Sequence, residues 1–264
     1  MNALGIAALT GGGLMAGCWL VSIFKRDASI VDPLWPMVYV LMAWSLWLWS
    51  DGAEGGRSVL MLVMVSLWGL RLGAYLTVRK WGAPEDFRYQ AMRRRWQPFW
   101  LWSLPVVFAL QGLLAVVVSV PVQAVLADSE ASALGWLDWV GAVIWAVGLV
   151  FESVGDEQLR RFKADEANRG KVMDRGLWRY TRHPNYFGDS VVWWGIWVVA
   201  VAAGAWWSAV GPLLMTFLLL RVSGVTLLER SINKRRPGYA EYATRTSAFI
   251  PMPPRRFGRQ GPIQ

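Results

Sequence analysis

Residues 99–120 read FWLWSLPVVFALQGLLAVVVSV, a run of 22 residues without Asp, Glu, Lys or Arg. A helix needs about 20 such apolar residues to cross the hydrocarbon core of a bilayer. Six further stretches are long enough, or nearly so: residues 4–24, 35–49, 60–78, 134–151, 187–203 and 207–227. The sequence therefore predicts an all-α, polytopic membrane protein with seven transmembrane helices.

The composition of the chain supports this class and excludes several others. Hydrophobic residues make up 55% of the 264 residues and charged residues only 17%, whereas soluble domains carry about 25% charged residues. The chain is too apolar to be disordered. Its net charge of +9 is compatible with nucleic-acid binding, but its hydrophobicity argues against that partner. Cys18 and His183 are the only Cys and His, which excludes a disulfide scaffold and the usual zinc site, so we expect no metal.

The distribution of basic residues predicts the orientation. Alternate connecting segments carry 2, 6, 8 and 8 Lys and Arg residues, whereas Arg57 is the only one on the opposite side. Cytoplasmic loops are enriched in Lys and Arg. The amino terminus is therefore predicted outside and the carboxyl terminus in the cytoplasm. Lys25 and Arg26 follow the first apolar run instead of preceding it, which indicates a retained anchor and not a cleaved signal peptide.

A polar motif, DRGLWRYTRHPNYFGD, occupies residues 174–189. The segment before it begins as an amphipathic helix, is interrupted near residues 168–170 and again near 175–176, and leads through the motif into the sixth span. Pro184 suits the first turn of that span. Asn185 and Asp189 are four residues apart and share one helix face at the membrane boundary. An ionisable residue there indicates a functional site. The basic residues around the motif predict a phosphate site: Lys163, Lys171, Arg175, Arg179 and Arg182. The alternative is a basic loop that contacts only lipid headgroups.

Other polar residues in or beside the spans leave two interpretations open. Asp32 precedes the second span, and Arg71 and Arg221 fall inside the third and seventh. A buried acid and a buried Arg can neutralise one another, or the acid can be catalytic because loss of water favours its protonated form. Tyr239 and Tyr242 are equally suited to cover a ligand and to anchor the chain at the interface.

Residues 174–189 resemble the signature of the membrane steroid 5-alpha-reductase family, and residues 235–251, RRPGYAEYATRTSAFIP, resemble its final segment. The resemblance covers roughly residues 30 to 254 and is strongest after Phe151. It implies that residues 1–264 form a single integral membrane reductase domain, in which about residues 151–254 bind the cofactor. It also implies a location in the bacterial inner membrane, with the cofactor site facing the cytoplasm.

The family's activity implies NADPH as the cofactor, with hydride transfer to the β carbon of an enone lipid such as a 3-oxo-Δ4 steroid, held among membrane lipids. The family's acid that polarises the steroid ketone falls on Asp32. Its partner tyrosine falls on Trp68, so Tyr39 or Tyr75 is a candidate replacement. The family's cofactor contacts fall on these residues: Arg79, Asp156, Arg175, Tyr180, Asn185, Asp189, Trp193 and Arg235. We add Lys163, Arg179, His183 and Tyr242 to the predicted cofactor site.

The same Arg-His-Pro-x-Tyr-x-Gly pattern also resembles that of isoprenylcysteine carboxyl methyltransferases, which implies an alternative: methyl transfer from S-adenosylmethionine. The surplus of arginines favours NADPH, because S-adenosylmethionine has no 2′-phosphate to bind. A lipid-binding protein without enzymatic activity is a third possibility. It leaves Asp32, Asn185 and Asp189 unexplained at the membrane boundary.

Overall fold

The computed structural model describes residues 2–49, 55–127, 133–222, 229, 236 and 238–255. These residues form helices joined by turns, and the one isolated β-bridge among them pairs Thr181 with Ser247 in parallel. The helices are α1 (Ala3–Lys25), α2 (Val31–Trp49), α3 (Gly56–Lys80), α4 (Phe87–Arg95), α5 (Phe99–Ser103), α6 (Leu110–Val118), α7 (Val120–Leu126), α8 (Trp136–Ala164), α9 (Pro184–Ala202), α10 (Val210–Phe217) and α11 (Tyr239–Arg245). The predicted all-α class is confirmed.

Among the described residues, five helical stretches are long and apolar enough to cross a membrane: Ala3–Lys25, Ala28–Trp49, Gly56–Lys80, Phe99–Val118 and Trp136–Ala164. They coincide with the first five predicted spans and mark an integral membrane protein. The sixth predicted span falls in α9. The seventh coincides with the shorter apolar helix Trp206–Val222, and residues 223–227 lie outside the described part of the chain. The count of seven spans and the orientation stay predictions.

Two helices begin or end away from the predicted boundaries. The second span begins earlier than predicted, because a 3-10 turn at Ala28–Ile30 leads directly into α2. Asp27 caps that turn by accepting a hydrogen bond of 2.9 Å from the Ser29 N–H, so Asp32 lies inside the first turn of α2. The fifth span continues to Ala164, because its polar continuation is amphipathic and stays helical.

One compact unit consists of Met1–Ala142 and Ile196–Gly211. Within it, α2 packs against α1 and α3, and Gly69 allows α3 to approach α2 closely. A Cβ on Gly69 would lie 2.9 Å from the Pro36 carbonyl oxygen. Gly11, in the glycine run of α1, faces Met42 and Val116. Gly11 therefore provides a helix-packing position in α1.

A second compact unit consists of Val143–Gly195 and Pro212–Gln264. In it the backbones of α8 and α9 touch, because glycines occupy the points of contact. A Cβ on Gly188 would lie 2.4 Å from the Glu152 nitrogen, and one on Gly148 would lie 2.5 Å from the Val192 nitrogen. The predicted breaks between these helices are confirmed, since Gly170 and Gly176 adopt φ values of 81° and 58°. The predicted helix start at Pro184 is confirmed as well.

Candidate functional site

The α8–α9 pair of the second unit carries a group of four polar residues, two from each helix, and the three acids among them are buried. Glu152 and Asp156 lie one turn apart on α8, and Asn185 and Asp189 lie one turn apart on α9. The three acids are only 2%, 4% and 7% exposed in the order Glu152, Asp156 and Asp189. The Asn185 side-chain amide donates a hydrogen bond of 3.1 Å to Asp156 Oδ1. The close helix contact thus brings together three of the predicted site residues, Asp156, Asn185 and Asp189.

Three of the predicted cations are exposed and lie at the end of α8 or on the segment that joins α8 to α9. Lys163 is in the last turn of α8, and Arg175 and Arg179 flank the 3-10 turn Gly176–Arg179. The Arg175 guanidinium lies over the Phe162 ring, 5.8 Å from its centroid, and donates a hydrogen bond of 3.3 Å to Asn168. The exposed cations and the buried acids therefore belong to the same unit.

Tyr180 and Trp193 occupy contrasting positions in that unit. The Tyr180 side chain is exposed, and its carbonyl accepts a hydrogen bond of 2.9 Å from the Met252 N–H. Trp193 lies on α9 one turn beyond Asp189, and its side chain is completely buried. Tyr180 is therefore available at the surface, whereas Trp193 is part of the packed interior.

His183 is held by the carboxyl-terminal segment. Its ring stacks on Tyr186 at a centroid distance of 5.5 Å, and Nε2 lies 3.3 Å from Glu229 Oε1. Arg182 donates to the same carboxylate at 2.8 Å. Burial acts to raise the pKa of Glu229, but the hydrogen bonds from His183 and Arg182 outweigh it and hold that pKa below its usual range. The surroundings of His183 indicate that it docks this segment; its predicted cofactor contact stays a prediction.

Two predicted site residues belong to the carboxyl-terminal segment, Tyr242 and Arg235, and the structure describes only Tyr242. Tyr242 on α11 is buried, and its hydroxyl donates a hydrogen bond to the Trp178 carbonyl. The Trp178 indole in turn donates to the Gly155 carbonyl at 3.0 Å. These bonds link α11 to α8 through the motif. Arg235 lies outside the described residues, so its predicted role stays a prediction.

In the first unit, Asp32 accepts two hydrogen bonds from α4. Tyr89 donates its hydroxyl to Asp32 Oδ1 and Arg88 donates Nη2 to Oδ2, both at 2.8 Å. Asp32 thus forms an ion pair with Arg88, a partner that the sequence interpretation did not include. Because both carboxylate oxygens accept hydrogen bonds, the geometry favours Asp32 as the group that orients these two donors.

Electrostatics keep both donors in their protonated forms. Burial, reinforced by the negative charge of Asp32, raises the pKa of Tyr89 well above its ordinary value. Burial acts to lower the pKa of Arg88, but the hydrogen bond to Asp86 and the charge of Asp32 outweigh it and raise that pKa. Burial also acts to raise the pKa of Asp86, yet its hydrogen bonds from Arg88 lower it. Tyr89 and Arg88 therefore remain hydrogen-bond donors throughout the physiological range.

The loop before α4 is docked on the start of α2. Glu85 Oε1 accepts a hydrogen bond of 2.9 Å from the Ala28 N–H, and Ser29 Oγ accepts one of 3.1 Å from the Asp86 N–H. Lys80 lies 3.2 Å from Asp27. These bonds fix the position of α4, and with it the geometry of the donors at Asp32.

Trp68, Tyr39, Tyr75 and Arg79, the other predicted residues of the first unit, lie on α2 and α3. Trp68 is completely buried and meets the Tyr39 ring edge to face at 5.6 Å. Arg79 lies over the Tyr75 ring at 5.6 Å. The described hydrogen bond to Asp32 comes from Tyr89, not from Tyr39 or Tyr75, which were the predicted replacements.

Sequence reasoning missed Glu152, Arg88, Tyr89 and Glu229. Glu152 ends an apolar run, so it was counted as a span boundary, although its spacing of one helical turn from Asp156 was a usable signal. Arg88 and Tyr89 lie in a short helix whose basic residues suggested only positive-inside charge. Their contacts to Asp32 join residues 56 and 57 positions apart, and no local pattern predicts such a pair.

Comparisons with known proteins agree with a membrane protein and leave its reaction open. An uncharacterized protein of Schizosaccharomyces pombe is 24% identical over 88% of this chain and 75% of that protein. A probable O-methyltransferase of Ustilaginoidea virens, UstE, is 30% identical over 42% of this chain and 34% of its own length. No solved structure matches the chain. Residues 18–246 match the family described as "Protein of unknown function (DUF1295)", and the chain therefore belongs to the DUF1295 family.

Proposed function

We propose that this protein is a membrane oxidoreductase that uses NADPH to reduce the carbon–carbon double bond of an enone lipid, with 3-oxo-Δ4 steroids as the first class to test. The observation that carries the proposal is the order in which buried acids and exposed cations follow one another in the second unit. Three buried carboxylates lie on α8 and α9, and exposed cations lie at the end of α8 and on the segment that joins it to α9. This order suits a cofactor with one polyanionic end and one uncharged polar end.

The residues fit the two ends of NADPH by their hydrogen-bonding chemistry. Arg175, Arg179 and Lys163 bring only donors, which suit phosphate oxygens. Asp156 and Asp189 bring acceptors, which suit ribose hydroxyls and a carboxamide N–H. Asn185, already bonded to Asp156 through its nitrogen, offers its carbonyl oxygen as a further acceptor. Buried acids also disfavour a phosphate, which keeps the polyanionic end at the surface.

The proposed reaction assigns the enone carbonyl to the donors at Asp32. NADPH, when bound, supplies the hydride that adds to the β carbon, and one proton from water completes the addition across the double bond. Negative charge develops on the carbonyl oxygen as the hydride arrives. Arg88, held in place by Asp32, offers positive charge and its remaining guanidinium N–H groups at that oxygen, and preorganised donors of this kind lower the barrier. Tyr89, whose single hydroxyl hydrogen is donated to Asp32, holds that carboxylate in position.

Cofactor binding is tested on the purified full-length protein in detergent. The 19 tryptophans provide the signal, because bound NADPH quenches tryptophan fluorescence by energy transfer. Asp189→Asn is expected to weaken NADPH binding by about tenfold or more, as expected for losing a hydrogen bond to a charged group. Asp165→Asn is the matched control, because it removes an exposed acid of the same segment and leaves a residue that caps equally well. Equal affinity in all three proteins would contradict the proposed site.

Turnover is tested with progesterone or testosterone and NADPH, by mass spectrometry of the 5α-reduced product. Asp32→Ala is expected to abolish turnover and to leave the NADPH affinity unchanged. The reason is that Asp32 is one of the residues proposed to bind the enone carbonyl and is not one of those proposed to bind the cofactor. Normal turnover in Asp32→Ala would overturn the catalytic assignment. Binding of NADPH without reduction of any enone would overturn the substrate class and leave the cofactor assignment standing.

S-Adenosylmethionine-dependent methyl transfer is the second candidate function, because UstE, the partial relative, is named as a probable O-methyltransferase. Buried carboxylates also suit the positive charges of S-adenosylmethionine. The same fluorescence titration, extended by calorimetry with S-adenosylmethionine, separates the two. Binding of S-adenosylmethionine without NADPH binding would overturn the reductase proposal in favour of the methyltransferase.

A further inference from the structure

A cavity of about 420 Å³ lies in the first unit, between the end of α1 and the start of α5. None of the residues assigned above to the cofactor or to the enone carbonyl lines it. Its polar lining comes from Arg26, Arg93 and Gln97, and its apolar lining from Ile23, Phe99 and Trp100. A cavity with two guanidinium groups beside aromatic and aliphatic walls matches an amphiphile with an anionic head.

The two arginines differ in how strongly they are neutralised. Arg93 is paired with Glu85, through Nε at 3.1 Å and Nη2 at 2.8 Å, and lies over the Phe99 ring at 4.4 Å. Arg26 contributes its carbonyl oxygen to Arg93 at 3.2 Å, while no ion pair of the Arg26 side chain occurs among the described residues. Arg93 therefore has a fixed position, and Arg26 retains its charge for a ligand.

The backbone at Arg26 is a second, independent observation. Arg26 terminates α1 with φ 52° and ψ 34°, and it is the one residue other than glycine with positive φ in the described chain. This left-handed conformation favours glycine at a helix end, and a residue with a side chain adopts it at a conformational cost. An unfavourable backbone conformation at a cavity wall points to a function for the side chain.

The surroundings identify the source of the anion. Phe24 and Trp100 have exposed side chains next to the cavity, at 87% and 52%, and both belong to helices apolar enough to cross a membrane. Large apolar and aromatic side chains at a span end lie at the level of the lipid headgroups. Lys25, Arg94 and Arg95 neighbour the two lining arginines along the chain, and Glu85 pairs with Arg93 among these five cations. This excess of positive charge selects an anionic lipid over a zwitterionic one.

We propose that this cavity binds the phosphodiester of an anionic phospholipid, with the phosphate between Arg26 and Arg93, the headgroup at Gln97, and the acyl chains along Ile23 and Trp100. The inference is independent of the proposed function, because it uses none of the cofactor or carbonyl residues. A free phosphate ester shares the same charge chemistry, but the apolar wall gives it no contact.

The test compares native mass spectra of the full-length protein after titration with phosphatidylglycerol or phosphatidylcholine. Phosphatidylglycerol is expected to bind preferentially, and Arg26→Gln to weaken its binding by about fivefold, the effect of one interfacial cation. Arg26→Gly is the second variant, because glycine suits the positive φ and the fold is retained. Lys25→Gln is the matched control, since it removes the same charge one residue away without touching the cavity wall.

Loss of phosphatidylglycerol in both Arg26 variants, with Lys25→Gln unchanged, supports the site. Equal losses in Lys25→Gln and Arg26→Gln would overturn it, because the attraction would then be diffuse. A third arm adds glycerol 3-phosphate as a competitor. Displacement of the lipid at equal concentration would overturn the lipid assignment in favour of a free phosphate ester.

Discussion

Gly188→Ala tests whether the α8–α9 contact creates the buried polar cluster. The added Cβ would lie 2.4 Å from the Glu152 nitrogen and 2.6 Å from the Gly148 carbonyl oxygen. Both are backbone atoms, so no side-chain rotation relieves the overlap. Since non-bonded carbon contacts settle near 3.5 Å, the helices must separate locally by about 1 Å. Overpacking of this kind costs about 1–3 kcal/mol, whereas the same substitution in an unobstructed helix interior stabilises by about 1 kcal/mol.

The assay is thermal unfolding of the purified protein in detergent, followed by tryptophan fluorescence. A loss of about 2 kcal/mol lowers Tm by about 4–8 °C in a chain of this size. Gly12→Ala is the matched control, because a Cβ on Gly12 in α1 would meet no atom within 4 Å. It is expected to keep or raise Tm. If Gly188→Ala unfolds at the wild-type temperature and binds NADPH as tightly, the close helix contact does not hold the cluster together.

Three further substitutions have expected outcomes that follow from individual bonds. Asp138→Asn removes the negative charge beside the buried Arg57 and leaves one acceptor for the two bonds of 2.8 and 3.0 Å, and should cost about 3–5 kcal/mol in denaturant unfolding; a loss below about 1 kcal/mol contradicts a buried ion pair. The pKa of Glu229 is depressed in the folded state. Its contribution to the stability of the fold is therefore fully present above the ordinary Glu pKa of about 4.3 and disappears as the pH falls through the folded pKa. Glu229→Gln should therefore flatten the acid limb of a Tm-against-pH curve, and an unchanged limb contradicts this. Tyr242→Phe removes the hydrogen bond to Trp178 and should cost about 1 kcal/mol, read from the same unfolding curves.

The sequence was most informative where a single segment determines the outcome. Long apolar runs predicted the first five membrane helices, because such a segment must pair its own backbone groups whatever surrounds it. Pro184 predicted the start of α9, and the breaks near residues 170 and 176 followed from Asn and Gly in the chain. The four-residue spacing of Asn185 and Asp189 correctly placed both on one face of the helix that begins at Pro184.

The partners of Asp32 could not be predicted in the same way. The polar helix α4 has no apolar stripe to define which face packs inward, and nine residues are too few to show a period. Its position against α2 is set by two hydrogen bonds between the loop before α4 and the turn before α2. Glu85 accepts from the Ala28 N–H, and Ser29 accepts from the Asp86 N–H. Only the docked structure therefore shows that Arg88 and Tyr89 donate to Asp32, and the replacement of the family's tyrosine by Tyr39 or Tyr75 stays a prediction.

The burial of Glu152, Asp156 and Asp189 bears on the choice between the two cofactors. A buried carboxylate in a helix interface is costly unless donors surround it, and the Asn185 amide donates a hydrogen bond to Asp156 in this group. Either cofactor would add donors there: ribose hydroxyls and a carboxamide from NADPH, or an ammonium group from S-adenosylmethionine. The exposed arginines separate the two, because only NADPH carries phosphates for Arg175 and Arg179. A cofactor that relieves the buried acids and occupies the outer cations at once accounts for both halves of the second unit, and NADPH has both properties.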